Sequence, residues 1–147
     1  MAVLIVHNLS TIFANGNGGL HALDRLSFSV SAEEFVCVLG PSGCGKSTLL
    51  RALAGLIRPT EGEIIFKGEL LVGPRRGIGF VFQKANLMPW RSVMENIMLP
   101  LEMQHLPSEV ILDRAEVMIE LVGLQGFEGI LPRDLSGGMA QRVALAR

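Results

Sequence analysis

The chain has 147 residues, a length that suits one domain. Hydrophobic residues make up 49% of it and charged residues 18%, which excludes a disordered, collagen-like or coiled-coil chain. The 13 basic and 14 acidic residues leave a net charge of −1, which does not favour a strongly basic nucleic-acid binder. Two cysteines are too few for a disulfide framework, and no apolar run approaches the ~18 residues of a membrane span.

The first half of the chain is dominated by short apolar runs that predict β-strands. Four of these runs lie at 3–12, 22–30, 35–39 and 78–82. The first two flank the glycine- and asparagine-rich sequence 15–19, which predicts a tight turn. The run 35–39 is continuously apolar and predicts a strand buried on both faces, as in a parallel sheet, and 78–82 predicts another buried strand. Between them, short runs at 63–66 and 69–72 predict a hairpin that turns at Lys67-Gly68.

Apolar residues at helical spacing predict four helices. These helices cover 46–54, 92–99, 108–122 and the sequence from Met139 onward. Gly55 and Pro100 are the predicted ends of the first and second helices, and Gly123 follows the third. Ser108 can cap the start of the third helix. The printed sequence stops at Arg147, in the middle of the fourth helical pattern.

One motif carries most of the functional signal. The sequence from Gly40 to Ser47 matches G-x-x-x-x-G-K-[ST], with a predicted strand before it and a predicted helix after it. Its glycines let the backbone wrap an anion, and the N–H groups at the helix N-terminus point at phosphate. Lys46 can reach the β- and γ-phosphates of a nucleotide, and the Ser47 hydroxyl can ligate Mg²⁺. The alternative is a glycine-rich loop that merely connects a strand to a helix.

A second motif, 135–139, opens the last predicted helix. Taken alone, its Ser136-Gly137-Gly138 sequence is an ordinary N-cap. Downstream of a phosphate loop, it offers a second helix N-terminus with exposed N–H donors, which is a second anion site. Two copies of the domain that face each other could hold one γ-phosphate from two directions.

Together, these motifs resemble the ATP-binding subunit of an ABC transporter over essentially the whole chain. The residues similar to the Walker A motif are Gly40, Pro41, Ser42, Gly43, Cys44, Gly45, Lys46, Ser47 and Thr48, and those similar to the signature motif are Leu135, Ser136, Gly137, Gly138 and Met139. Met139 stands where glutamine is commonest in the family. Gln83, which closes the sequence 79–83, resembles the Q-loop glutamine. The sequence 87–97 looks most like the nitrate, sulfonate and taurine importers.

The resemblance implies an α/β fold of the P-loop NTPase class. It would combine an antiparallel β subdomain, a partial RecA-like parallel sheet and a helical subdomain, with the C-terminal part of the core missing. The implied divisions are 1–83 for the β subdomain and P-loop core, 84–135 for the Q-loop and helical subdomain, and 136–147 for the start of the signature helix.

The resemblance also implies roles for single residues. ATP would be bound by the Walker A residues, and Mg²⁺ by Ser47 and Gln83. Gln83 would further position the attacking water and sense the γ-phosphate. Phe13 falls where the family places an aromatic ring that stacks on adenine, and the alternative is a half-buried strand aromatic. Residues 135–139 would bind the ATP held by the partner subunit.

The partners implied by the resemblance form a membrane complex. They are a second ATPase subunit, in a homodimer, and a membrane permease that contacts residues from about 84 to 100. A periplasmic or extracellular solute-binding protein would act indirectly, and nucleic acid would take no part. The subunit would lie peripherally at the cytoplasmic face of the membrane. Trp90 could anchor the permease contact, or it could be buried in the helical subdomain.

The sequence departs from the family in one respect. The family places a Walker B strand, four apolar residues followed by Asp and Glu, after the signature helix, and a switch histidine later. Glu33-Glu34 precedes the phosphate loop, and none of His7, His21 and His105 matches that histidine. We therefore expect an incomplete sequence that binds ATP without efficient hydrolysis. We also expect this chain alone to be poorly stable, because strand edges and apolar faces stay exposed.

Three alternative functions remain. An ABC-type ATPase without a transport role, for instance in DNA repair or translation, would typically carry coiled-coil insertions or two cassettes in one chain. A nucleotide-binding fragment with no enzymatic role fits the printed sequence as it stands. A small-molecule P-loop kinase is disfavoured, because it would not need a second anion site at 136–138.

Overall fold

The computed structural model describes residues 2–14 and 19–147. Its strands are β1 (Ala2–Phe13), β2 (Leu20–Ser31), β3 (Glu61–Phe66) and β4 (Glu69–Leu70), and its α-helices are α1 (Lys46–Leu53), α2 (Val93–Glu102), α3 (Ser108–Leu121) and α4 (Gly137–Ala146). The chain divides into two compact units, Met1–Phe80 and Val81–Arg147. The three-part division at 83 and 135 stays a prediction.

The first unit is built on an antiparallel sheet with the strand order β2-β1-β3-β4. Ile5 of β1 lies opposite Ser29 on one side and Ile65 on the other. The core of this unit joins one face of the sheet to α1, and its buried members are Val6, Leu9, Leu23, Leu49, Ala52, Ile64 and Leu71. The predicted strands 3–12 and 22–30 are confirmed. The predicted hairpin forms, but its second strand covers Glu69–Leu70 instead of 69–72. Most of the predicted turn, residues 15–18, lies outside the described residues.

Helix α1 forms where the apolar spacing predicts it, from Lys46 to Leu53. Gly55 follows with a φ of 72°, a left-handed conformation that only glycine adopts without strain. A Cβ atom at Gly55 would lie 2.3 Å from the carbonyl oxygen of Gly73, so the close chain passage also requires glycine. The predicted helix and its predicted end are both confirmed.

Two of the predicted strands are wrong for the residues that the structure describes. Residues 35–39 adopt no strand, and Phe35 and Leu39 are 91% and 89% exposed. Residues 78–82 are also irregular. The expected parallel sheet is therefore not formed in the described ranges, whose sheet contains β1 to β4 alone. A continuous apolar run encodes a preference for burial, but a strand also needs a neighbouring strand for its N–H and C=O groups.

The second unit is helical. Its core joins α2, α3 and α4 through buried residues at helical spacing, which are Val93, Ile97, Ala115, Ile119, Leu124 and Val143. The buried face of α3 contains Ile111, Ala115 and Ile119, as the sequence predicts. Gly123 ends this region with a φ of 63°. None of the described helices is both long enough and apolar enough to cross a membrane.

Several helix boundaries differ from the prediction, and α4 begins at Gly137 instead of Met139. Helix α2 continues past Pro100 to Glu102, so the predicted end at Pro100 is wrong. Pro100 has no N–H to donate to the carbonyl four residues earlier. The next turn still closes, since the Met103 N–H donates to the Leu99 carbonyl at 3.1 Å. Ser108 is the first residue of α3 rather than its cap, and Pro107 occupies the N-cap position.

Candidate functional site

The Walker A loop leads directly into α1. Gly43 and Gly45 have φ values of 84° and 93°, so both positions need the left-handed region that glycine favours. A Cβ at Gly45 would lie 2.2 Å from the Ala22 carbonyl oxygen, which shows how closely this loop approaches β2. Gly45 is also the N-cap of α1, and no described side chain caps the helix there. The first N–H groups of α1 are therefore left for an anion.

Lys46, the first residue of α1, lies against the loop that precedes it. Its Nζ atom donates to the carbonyls of Gly40 and Pro41 at 2.8 and 2.6 Å. The same atom lies 3.6 Å from Cys44 Sγ. Ser47 is exposed and Thr48 is half-buried, in the first turn of α1. A full positive charge thus adds to the partial positive charge of the helix N-terminus.

These features fit the phosphates of a nucleotide. They combine an uncapped helix N-terminus, the Lys46 ammonium against the preceding loop, and Gly45, which no other residue can replace without a clash. Ser47 offers an exposed hydroxyl next to Lys46, which is the type of hard oxygen ligand that Mg²⁺ prefers.

Phe13 is the last residue of β1, in the same unit as the loop. It is paired with Leu20 of β2 and is 41% exposed. Its ring is therefore accessible enough to stack on a planar group. The adenine contact at Phe13 stays a prediction.

Gln83 and the signature motif both lie in the second unit. Ser136 is the N-cap of α4, and its Oγ atom accepts a hydrogen bond from the Met139 N–H at 3.3 Å. Gly137 and Gly138 are exposed, whereas Leu135 and Met139 pack against the helical core. The predicted ordinary N-cap is present, and it leaves the glycine backbone accessible for a ligand.

Gln83 lies in the irregular segment between the two units' regular elements, at the start of the second unit. Its backbone carbonyl accepts a hydrogen bond from Gln141 Nε2 of α4 at 2.5 Å. A second bond joins Arg147 Nη1 to the carbonyl of Asn86 at 3.1 Å. The structure therefore brings together the Q-loop segment and the helix that carries the signature motif.

Trp90 is 74% exposed, on the loop that precedes α2. The alternative of a Trp90 buried in the helical subdomain is therefore wrong, and its contact with a permease stays a prediction. The neighbouring Arg91 donates from Nη1 to Glu102 Oε2 at 2.7 Å, which fastens this loop to α2.

Asn96 holds the loop that precedes α2, and the sequence analysis does not single it out. It is fully buried in α2, between the core residues Val93 and Ile97. Its Oδ1 accepts from the Met88 N–H at 2.8 Å, and its Nδ2 donates to the Arg91 and Ser92 carbonyls at 2.9 Å. A polar residue on an apolar helix face was the available signal, because such groups stay buried only when they are hydrogen-bonded.

Gln141 and Arg147 were also missed, and the sequence carries no comparable signal for them. Their acceptors are backbone carbonyls 58 and 61 residues away. No spacing rule reaches such a distance, so only the packed structure reveals the two bonds.

The fold and the Walker A loop are those of a P-loop nucleotide-binding protein. A family model described as "ABC transporter" matches residues 23–147. The chain belongs to the ABC transporter family.

Individual relatives agree with this assignment. The chain is 47% identical over 144 residues to an uncharacterized ABC transporter ATP-binding protein of Methanocaldococcus jannaschii, covering 98% of this chain and 54% of the relative. It is 45% identical over 147 residues to the taurine import ATP-binding protein of Burkholderia thailandensis, covering 100% of this chain and 56% of the relative. Aliphatic sulfonate and nitrate import ATP-binding proteins, from Bacillus cereus and a Synechocystis species, match at 42% identity.

A solved structure shows the same fold. It is a dimeric ATP-binding cassette in a post-hydrolysis state, bound to ADP and Pi. It matches with a TM-score of 0.87 and 33% identity, over 97% of this chain and 67% of the solved chain. The chain spans about half the length of the curated relatives that it matches.

Proposed function

We propose that the protein is the ATP-binding subunit of an ABC importer, which couples ATP binding and hydrolysis to the movement of a nitrate-, sulfonate- or taurine-like solute. The observation that carries the proposal is the Walker A loop, with its uncapped helix N-terminus and the Lys46 ammonium held against it. The import names of the relatives support the solute class.

In this proposal, the N–H groups at the start of α1 bind the phosphates of ATP. Lys46 exchanges its two carbonyl contacts for oxygens of the β- and γ-phosphates, so that its ammonium is paired with ionised acceptors instead of neutral ones. The Ser47 hydroxyl would hold Mg²⁺, which would supply positive charge against the phosphates. Gln83 is proposed to contact the metal or the attacking water, and Phe13 to stack on adenine.

The signature residues 135–139 are proposed to act on the ATP of a second, identical subunit. Ser136 already caps α4 with its hydroxyl, so the adjacent glycine N–H groups are the donors left to the partner's γ-phosphate. ATP would then close two subunits against each other, and hydrolysis would release them. The dimeric state of the solved cassette supports this arrangement.

The same proposal assigns a permease contact to residues from about 84 to 100. The exposed Trp90 offers an amphipathic ring of the kind that anchors protein interfaces. The subunit would lie peripherally at the cytoplasmic face of the membrane, and a solute-binding protein would deliver cargo from the other side.

For residues 1–147 themselves, the proposal is nucleotide binding. The Walker A and signature motifs bind phosphate. Hydrolysis also needs a general base of the kind that the Walker B glutamate supplies in the family. Turnover is therefore proposed for the whole protein.

Two substitutions test the proposal. We expect Lys46→Ala to weaken MgATP binding about 100-fold, since it removes charge-assisted bonds worth roughly 3 kcal/mol. Lys67→Ala, which removes the same charge from the β3–β4 turn, is the matched control and should leave binding unchanged. Isothermal titration calorimetry measures both, and unchanged affinity in Lys46→Ala would refute the Walker A assignment.

The second substitution tests the role in trans. Ser136→Arg should leave ATP binding to the monomer nearly intact and abolish ATP-driven dimerisation. The reason is that residue 136 is proposed to contact the ATP of the partner subunit and not the ATP of its own subunit. Isothermal titration calorimetry measures ATP binding to the monomer, and sedimentation with and without a non-hydrolysable ATP analogue measures dimerisation. If Ser136→Arg blocks binding to the monomer itself, the trans arrangement is wrong.

A further inference from the structure

The Q-loop segment 83–86 is held by two side chains of α4. Gln141 Nε2 donates to the Gln83 carbonyl at 2.5 Å, and Arg147 Nη1 donates to the Asn86 carbonyl at 3.1 Å. Both acceptors are backbone atoms, so the bonds fix the path of the main chain and leave the Gln83 side chain available for another role.

The helix that makes these bonds is the helix that begins at the signature motif. Ser136 caps α4, and Val143, between the two donors, is fully buried in the helical core. A hydrogen-bonded helix with a buried anchor moves as a rigid element, because its backbone bonds and its packing oppose bending. A displacement of residue 136 therefore moves residues 141 and 147 by a similar distance.

We propose that Gln141 and Arg147 are positioning residues that make the 83–86 segment follow α4. The inference rests on the proposed function and extends it: the Q-loop of one subunit then responds to the ATP of the partner subunit, through the partner-facing signature motif, as well as to its own ATP. Coupling of this kind needs one element that both sites displace, and α4 is that element.

The other end of the same loop is fixed independently. Asn96 binds the backbone at Met88, Arg91 and Ser92, so it holds the loop to α2. The two donors on α4 thus control the part of the loop that contains Gln83, whereas Asn96 controls the part that contains Trp90. Loss of the α4 bonds should therefore free residues 83–86 without releasing residues 88–92.

The experiment compares hydrogen exchange of peptides from 81–88 and 135–142 in the purified protein, with and without the magnesium complex of a non-hydrolysable ATP analogue. We expect the wild type to gain protection in both peptides. In Gln141→Met, which keeps the length of the side chain and removes the donor, protection should persist in 135–142. In 81–88 the ATP-dependent protection should fall about five-fold, which is the change in an equilibrium constant that the loss of one net hydrogen bond produces. Arg147→Met should act in the same direction.

Two further variants separate positioning from stability. Gln141→Lys keeps an N–H donor and should restore protection in 81–88. Arg142→Met is the matched control on the same helix, since its hydrogen bonds in the described part of the chain go to the carbonyls of Val122 and Gly123. It should leave the ATP-dependent change in 81–88 intact. Equal losses in Gln141→Met and Arg142→Met would overturn the proposal.

A mixed dimer tests whether the partner's ATP causes the protection of the 81–88 peptide. One subunit carries Lys46→Ala, so that it lacks its own ATP, and is isotopically marked, while its partner is wild type. We expect the 81–88 peptide of the marked subunit to gain protection, because the partner's ATP reaches it through α4. Protection in 135–142 without any change in 81–88 would overturn the inference alone. A wild type that gains protection in neither peptide would instead contradict the proposed function.

Discussion

Asn96 offers the sharpest test of how the loop before α2 is held. Its side chain is fully buried and makes four hydrogen bonds with the backbone, to the Met88 N–H and to the carbonyls of Met88, Arg91 and Ser92. Asn96→Ala removes all four and leaves the loop's backbone groups without these partners. With three short bonds at a net ~1 kcal/mol each, we expect the loop to lose about 3 kcal/mol of local stability.

The assay for Asn96 is amide hydrogen exchange at Met88, whose N–H donates directly to Asn96 Oδ1. A loss of about 3 kcal/mol corresponds to a fall of roughly 100-fold in the protection factor. Asn96→Asp keeps the acceptor, loses the donors and brings a carboxylate against three carbonyls. It should therefore lower the protection factor at Met88 at least as much as Asn96→Ala. Gln104→Ala removes one exposed bond, to the Pro100 carbonyl at 3.1 Å, and is the control. A fall of less than about five-fold in Asn96→Ala would refute the reasoning.

Three more outcomes follow from local geometry. Gly45→Ala should lower the free energy of unfolding by at least about 2 kcal/mol, because its Cβ would lie 2.2 Å from the Ala22 carbonyl oxygen. Thermal unfolding measures this loss, and the same clash should weaken ATP binding. Ser136→Ala removes the cap of α4 and should cost about 1 kcal/mol in urea unfolding, with an unchanged midpoint counting against the cap. The Ser92 N–H donates to Glu95 Oε2 at 2.7 Å, and this bond is the main cause that lowers the pKa of Glu95. Its stabilising effect is therefore present at neutral pH and is lost as the pH falls below the ordinary glutamate pKa of 4.5 and through the lowered pKa of Glu95. Stability measured from pH 6 to about 3 should drop less steeply in Glu95→Gln, and parallel curves would contradict this account.

The parts of the site that the sequence predicts are the local ones. The Walker A loop and α1 lie within a few residues of each other, so glycine positions, Lys46 and the apolar spacing specify them together. The cap at Ser136 is equally local, since donor and acceptor are three residues apart. Strands β1 and β2 and the hairpin turn are predicted from apolar runs separated by turn residues, whereas the antiparallel β subdomain is implied by the resemblance.

The parts that the sequence does not predict depend on distant partners. Residues 35–39 have the composition of a buried strand, yet their state depends on a neighbouring strand that composition cannot supply. Trp90 could be read as a core residue or as a surface anchor, and only packing around the loop shows that it is exposed. Gln141 is an ordinary helix residue until the carbonyl of Gln83 comes within reach.

The central claim is that one ATP is held by the Walker A loop of one subunit and the signature motif of another. The most direct measurement mixes Lys46→Ala subunits with Ser136→Arg subunits and follows dimerisation with a non-hydrolysable ATP analogue. Each variant alone lacks an intact site, but the mixture contains one complete site, with Lys46 from one subunit and Ser136 from the other. We predict that the mixture dimerises with the analogue and that neither variant does so alone. A mixture that stays monomeric, while the wild type dimerises, would contradict the account.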